Sequence, residues 1–69
     1  NLVNIQLSQE NGSITTIEIV DVLGKKVLYQ KGNNRQQQTL DVSSLQTGVY
    51  FVEIMTKSGQ VSRNKLIVR

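Results

Sequence analysis

The chain has 69 residues, a formal net charge of +3, and neither cysteine nor histidine. A chain of this length forms at most one domain, residues 1–69, with a small core. The missing side chains exclude disulfides, thiolate or histidine metal sites, and the usual Ser-His and Cys-His nucleophile pairs.

The acidic residues do not indicate catalysis either. All of them fit turn positions or solvated faces of strands; they are Glu10, Glu18, Asp21, Asp41 and Glu53. We therefore expect no enzymatic activity, no cofactor and no metal.

The distribution of basic and aromatic residues argues against a nucleic-acid-binding protein. The eight lysines and arginines are spread along the chain, and there are only three aromatics, Tyr29, Tyr50 and Phe51. A nucleic-acid binder would concentrate basic residues and stacking aromatics on one face, so no nucleic-acid partner is expected.

No apolar stretch approaches the roughly 20 residues of a membrane helix. Because the chain begins at Asn1 and its only methionine is Met55, we expect a domain cut from a longer parent.

The first third of the chain alternates apolar and polar residues, which predicts strands. A strand is predicted over residues 2–7, and a polar cluster around a glycine predicts a turn at 9–13. A second strand, over residues 14–20, is rich in β-branched residues and places Ile17 and Ile19 on its inward face.

The next segment has the signature of a β-hairpin. Asp21 and Gly24 occupy the first and fourth positions of a type I turn, and Gly24 in the left-handed conformation would form a bulge. We therefore predict that residues 25–30 pair antiparallel with residues 14–20. A polar loop is predicted at 31–36.

The second half of the chain predicts three more strands. A short strand over residues 37–42 is followed by a compact reversal at 43–48. The strand predicted over 49–56 is apolar on both faces, which favours an interior position in its sheet. A turn at 57–60 then leads to a return strand over 61–69. Strands of this length and spacing predict an all-β fold, a small antiparallel Ig-like or Greek-key β-sandwich of about six to seven strands.

Three blocks of the sequence, in this order, resemble one known family. Residues 17–27 resemble its hydrophobic-x-hydrophobic-x-Asp-x-x-Gly-Arg/Lys-x-Val hairpin. Residues 40–52 resemble its Leu-x-x-Gly-x-Tyr block, and residues 65–69 resemble its basic-then-aliphatic terminal strand. The family is the type A C-terminal sorting domain (Por secretion tail) of the type IX secretion system of Bacteroidetes-type bacteria.

This resemblance implies a secretion signal without chemistry of its own. Such a domain directs a covalently linked upstream cargo through the outer-membrane translocon with its shuttle components. A surface sortase then removes the domain, here at or before residue 1, and the cargo is anchored to anionic lipopolysaccharide. The implied localisation is the periplasm in transit, then the cell surface or the extracellular space.

The resemblance also implies which residues the translocon or sortase recognises: Gly48, Tyr50, Lys65, Leu66, Ile67, Val68 and Arg69. The inward apolar side chains among them, Tyr50, Leu66 and Val68, are expected to pack in the core, since such positions are usually buried. Lys65 and Arg69 are the expected direct contacts, through edge docking of the last strand with basic side chains that set the register.

Other functions stay open at this point. A non-catalytic adhesive or carbohydrate-binding sandwich, appended to a secreted enzyme, would depend on an exposed aromatic, for which Tyr29 is the candidate. An oligonucleotide-binding barrel would need several exposed aromatics on a basic face. Uncapped edge strands would also allow a homodimer of the isolated domain.

Overall fold

The computed structural model describes residues 2–7 and 12–69. These residues contain six strands, numbered in chain order: β1 (Leu2–Gln6), β2 (Ile14–Asp21), β3 (Lys26–Lys31), β4 (Gln37–Asp41), β5 (Gly48–Thr56) and β6 (Val61–Val68). Nowhere in this part of the chain is there a helix long and apolar enough to cross a membrane. The turn predicted at 9–13 falls mostly outside the described residues.

The strands form two antiparallel sheets. β1 pairs with β4 in the first, and the second has the order β3-β2-β5-β6. The predicted all-β antiparallel sandwich is therefore confirmed. β5 lies between β2 and β6, which confirms the interior position expected from its two apolar faces.

The core lies between the two sheets and follows from the period-two pattern of the strands. Ile17 and Ile19 of β2 are fully buried, as predicted, whereas Glu18 between them points to the opposite face and forms an ion pair there. The core cluster draws on both sheets and consists of Ile5, Leu7, Ile14, Ile17, Ile19, Leu40, Val42, Tyr50, Val52, Ile54 and Val68.

The hairpin of β2 and β3 has the predicted turn. The amide of Gly24 donates to the carbonyl of Asp21 at 3.0 Å, and the amide of Asp21 donates to the carbonyl of Lys25 at 2.9 Å. Gly24 has φ +85°, in the left-handed region that favours glycine. This conformation and these two bonds confirm the predicted conformation of Gly24. The register also shifts between Ile19 and Val20, an irregularity further along the hairpin that was not predicted.

The loop from β3 to β4 is tied to the start of β2. The amide of Gly32 donates to the carbonyl of Thr15 at 2.7 Å, and that of Asn34 donates to the carbonyl of Ile14 at 3.1 Å. A Cβ atom at Gly32 would collide with the backbone oxygen of Ile14. Only glycine fits at position 32, because the loop backbone lies directly against the backbone of β2 there. This close contact is the point at which the chain passes from one sheet to the other.

A buried amide completes this crossing. The side chain of Gln38 lies on the inward face of β4 and is 7% exposed. Its oxygen accepts from the amide of Asn33 at 2.9 Å, and its nitrogen donates to the carbonyl of Lys31 at 3.2 Å. Both ends of the side chain are therefore paired, as burial of a polar group requires.

Candidate recognition site

The register of the sheet brings the three sequence blocks to one end of the sandwich. Asp21, which begins the first turn, lies opposite Tyr50, and Tyr50 lies opposite Leu66 on its other side. Gly48, the first residue of β5, lies opposite Val68, the last of β6. We call this the recognition end; it comprises residues 21–25, 42–50 and 65–69.

Tyr50 is a structural residue of the recognition end. Its side chain is 9% exposed and belongs to the core cluster. Its hydroxyl donates to the carbonyl of Gln46 at 2.7 Å, which fastens the reversal between β4 and β5 to the sheet. Leu45 of the same reversal packs against the core, as a half-buried plug. The expectation that Tyr50 packs inward is confirmed.

Gly48 has no steric reason to be glycine. A Cβ atom there would meet only the ring of Tyr50, at 3.8 Å, and its backbone is not in the left-handed region. This distance is an ordinary van der Waals contact, so the position tolerates a small side chain. Its role in recognition stays a prediction.

The terminal strand divides into an inward and an outward set of side chains. Leu66 is half-buried against the core and Val68 is 5% exposed, which confirms that both pack inward. Lys65 and Arg69 are exposed on the other side, as expected, and Ile67 between them is 53% exposed. The alternation therefore presents two cations and an aliphatic group to the surroundings, while contact of any of them with a partner stays a prediction.

The outer edge of β6 is open. In the four-stranded sheet β6 is the last strand, and among the described residues no strand pairs with its far side. A cleft of about 240 Å³, lined by both polar and apolar residues, lies between this edge and β1 of the other sheet. It is lined by Val3, Asn4, Ile5, Gln6, Val52, Ile54, Asn64, Lys65 and Leu66. An edge of this kind presents unpaired backbone groups to which an extended peptide can bind.

Carboxylates on the outer face of the larger sheet are held by cations. Lys26 lies 3.1 Å from Glu18, and Arg63 lies 3.8 Å from Glu53. The guanidinium of Arg63 also lies 4.6 Å from the centroid of the Phe51 ring. These pairs give both glutamates a structural place on a solvated strand face, as predicted.

The two described aspartates belong to turns. The carboxylate of Asp41 accepts hydrogen bonds from the hydroxyl and the amide of Ser43, at 2.7 and 2.9 Å. The side-chain bond first, and then the backbone bond, lower the pKa of Asp41 from its usual value. Asp21 accepts from the amides of Leu23 and Lys25, both at 2.9 Å. The remaining acid, Glu10, lies outside the described residues.

The exposed aromatic expected for a glycan binder is present but isolated. Tyr29 is 61% exposed on β3. The other two aromatics do not join it, because Tyr50 is buried and Phe51 is half-buried beneath Arg63. A single ring provides little of the aromatic lining on which such sites depend.

Sequence reasoning missed two residues of the recognition end. Val22 and Leu23 form the tip of the turn between β2 and β3 and are 66% and 89% exposed. The signal was available, since two aliphatic residues occupy the centre of a turn in which polar residues are favoured.

The fold defines the class of the protein, a small antiparallel β-sandwich. One comparison with known proteins identifies the family: the sequence profile of a family described as a secretion system C-terminal sorting domain matches residues 1–69. The chain belongs to this family, the C-terminal sorting domains of type IX secretion. The family is not known as catalytic, and its signal implies export to the cell surface or the extracellular space. No curated protein and no solved structure matches the chain.

Proposed function

We propose that β6 is the part of this sorting signal that the translocon reads. The observation that carries the proposal is the open edge of β6, which borders a cleft of mixed polar and apolar lining and carries the exposed Lys65. A partner strand added along this edge gains main-chain hydrogen bonds, and the alternating side chains select the partner. Lys65 and Arg69 then set the register against acidic groups of the partner, because opposite charges fix orientation and suppress wrong partners.

The later steps require no chemistry from this chain. The cargo passes through the periplasm with the shuttle components and crosses the translocon. A surface sortase then cleaves at or before residue 1 and anchors the cargo. The domain supplies recognition alone. This role fits the structural places of Asp21, Asp41, Glu18 and Glu53, whose carboxylates bind turn amides, a turn hydroxyl or cations of the sheet surface.

The experiment is a fusion of residues 1–69 to the C-terminus of an inert periplasmic reporter in a bacterium with a type IX system. Deletion of residues 65–69 is a poor variant, because it also removes Leu66 and Val68 from their inward positions. Lys65→Glu is a better variant than the deletion, since the side chain of Lys65 is exposed and reversing its charge leaves the core intact. Lys57→Glu is the matched control, because Lys57 is an exposed lysine in the turn at the opposite end of β5 and β6.

The fraction of reporter outside the cell is the measured quantity. The fusion with the unchanged domain should leave the cell, Lys65→Glu should lower that fraction, and Lys57→Glu should not. Equal export of both lysine variants would overturn the role of β6. Retention of the unchanged fusion in the periplasm would overturn the sorting function of these residues.

A further inference from the structure

The turn between β2 and β3 exposes two aliphatic side chains. Leu23 has the largest exposed fraction, 89%, of any large hydrophobic residue within the described ranges, and Val22 beside it is 66% exposed. A type I turn accepts most residue types at its centre, so the turn itself does not demand aliphatic groups. Packing within the domain does not account for Leu23 either, because its side chain lies almost entirely in solvent, and Val22 is covered over only a third of its surface.

The backbone of this tip is held by hydrogen bonds within the turn. One carboxylate oxygen of Asp21 accepts from the amides of Leu23 and Lys25, each at 2.9 Å. The amide of Gly24 donates to the carbonyl of Asp21, and the amide of Asp21 donates to the carbonyl of Lys25. The amides of Asp21, Leu23, Gly24 and Lys25 are thus paired within the turn, and these bonds hold the tip on which the two side chains are presented. Such preorganisation reduces the ordering cost of binding.

Charges of both signs lie at the base of the tip, and Lys25 is the cation among them that makes no ion pair within the described residues. Lys26 is paired with Glu18, and the carboxylate of Asp21 is occupied by backbone amides. Lys25 is exposed, and no carboxylate of the residues described here lies within ion-pair distance of it. The surface that complements this tip is apolar at its centre and carries a carboxylate at its rim, opposite Lys25.

The tip and the terminal strand lie at the same end of the molecule. Asp21 lies in register with Tyr50, and Gly48 lies in register with Val68. A shallow depression lined by Asp21, Val27, Ser44, Leu45, Gln46 and Tyr50 adjoins the base of the turn. One partner surface can therefore contact both the tip and the end of β6.

We propose that Val22 and Leu23 form a knob that docks into an apolar, carboxylate-rimmed socket on a protein component of the export machinery. The knob is a second contact beside β6, and the inference rests on the proposed sorting function. A protein socket fits these observations better than a lipid surface does, because the knob is only two residues wide, is held by hydrogen bonds of the turn, and lies at the same end of the sheet as the strand proposed above for recognition.

The test is export of the reporter fusion with the tip made polar. Val22→Ser/Leu23→Ser removes the aliphatic groups and keeps Asp21 and Gly24, which build the turn. The matched control is Met55→Thr/Val61→Thr. These two exposed residues face each other on β5 and β6 at the opposite end of the sandwich. Thermal unfolding of each purified domain should change by no more than a few degrees, as is usual for surface substitutions.

The variant Val22→Ser/Leu23→Ser should lower the initial export rate about tenfold or more, because it loses the binding free energy of the apolar area that the two side chains bury in the socket. The control pair should export like the unchanged domain, and Leu23→Met, which keeps the apolar volume, should retain export. Lys25→Glu should also lower the rate, while Lys25→Arg should not. Export of the Val22→Ser/Leu23→Ser fusion at the full rate, with the domain folded, would overturn the proposed docking of these two side chains.

The outcomes separate this inference from the one on which it rests. If the unchanged fusion is not exported, the sorting function fails. If it is exported and the polar tip is exported equally well, only the knob fails. Sedimentation of the purified domain with phosphatidylglycerol vesicles tests a lipid surface. Binding that is lost in Val22→Ser/Leu23→Ser would show a membrane contact and overturn the protein socket.

Discussion

The sharpest structural prediction concerns Gly32→Ala. The new Cβ atom would collide with the carbonyl oxygen of Ile14 and would lie 2.7 Å from the carbonyl carbon of Thr15, both of which are rigid backbone atoms. The loop must move away, which breaks the bonds from the amides of Gly32 and Asn34 to β2. Two lost hydrogen bonds cost about 2 kcal/mol, and the displaced loop adds roughly 1 kcal/mol more.

A smaller unfolded-state effect opposes this loss. Replacing glycine by alanine stabilises by about 0.4–1 kcal/mol through the lower entropy of the unfolded chain. The net loss of unfolding free energy is therefore about 2 kcal/mol. At about 4–8 °C per kcal/mol for a domain of this size, the thermal midpoint should fall by about 8–16 °C. Circular dichroism during heating, together with urea unfolding, measures both quantities.

The chain offers its own control in Gly48→Ala. There the new Cβ atom would lie 3.8 Å from the ring of Tyr50 and touch nothing else closely. The midpoint of this variant should stay within about 4 °C of the unchanged domain. If the alanines at positions 32 and 48 gave the same midpoint, the close approach of the loop to β2 would not be a determinant of the fold.

Two further predictions concern the recognition end. Tyr50→Phe removes the hydrogen bond to the carbonyl of Gln46, so the free energy of unfolding, measured in urea, should fall by about 0.5–1.5 kcal/mol. Export of a reporter fusion should be retained. Lost export from a folded variant would show that the hydroxyl is recognised directly. The pKa of Asp41 lies below 3.8 because the carboxylate accepts hydrogen bonds from Ser43. A lowered folded-state pKa means that this stabilisation is present above 3.8 and is lost as the pH falls through the folded value. Thermal midpoints from about pH 6 to about pH 2 should therefore fall less in Asp41→Asn than in the unchanged domain, and identical profiles would contradict this.

The parts of the fold that sequence predicted are those set by local chemistry. The first hairpin follows from Asp21 and Gly24, whose turn preferences depend on neighbouring atoms alone. The inward sets of β2 and β6 follow from alternation, because a strand with one buried face can take only one register. For the same reason Leu66 and Val68 could be assigned to the core without a structure.

The parts that sequence did not predict depend on contacts between distant segments. Gly32 is required by the backbone of Ile14, and nothing near it in the sequence signals that approach. Gln38 reads as one of three consecutive glutamines, yet its amide bridges Lys31 and Asn33 in a buried position.

The most direct test of the central claim is export of one reporter in four combinations: with and without residues 1–69, in a bacterium with a type IX translocon and in the same bacterium lacking it. The account predicts reporter outside the cell only when both the domain and the translocon are present. Export of the bare reporter, or export of the fusion without the translocon, would contradict the account, and so would retention of the fusion in the periplasm of the complete strain.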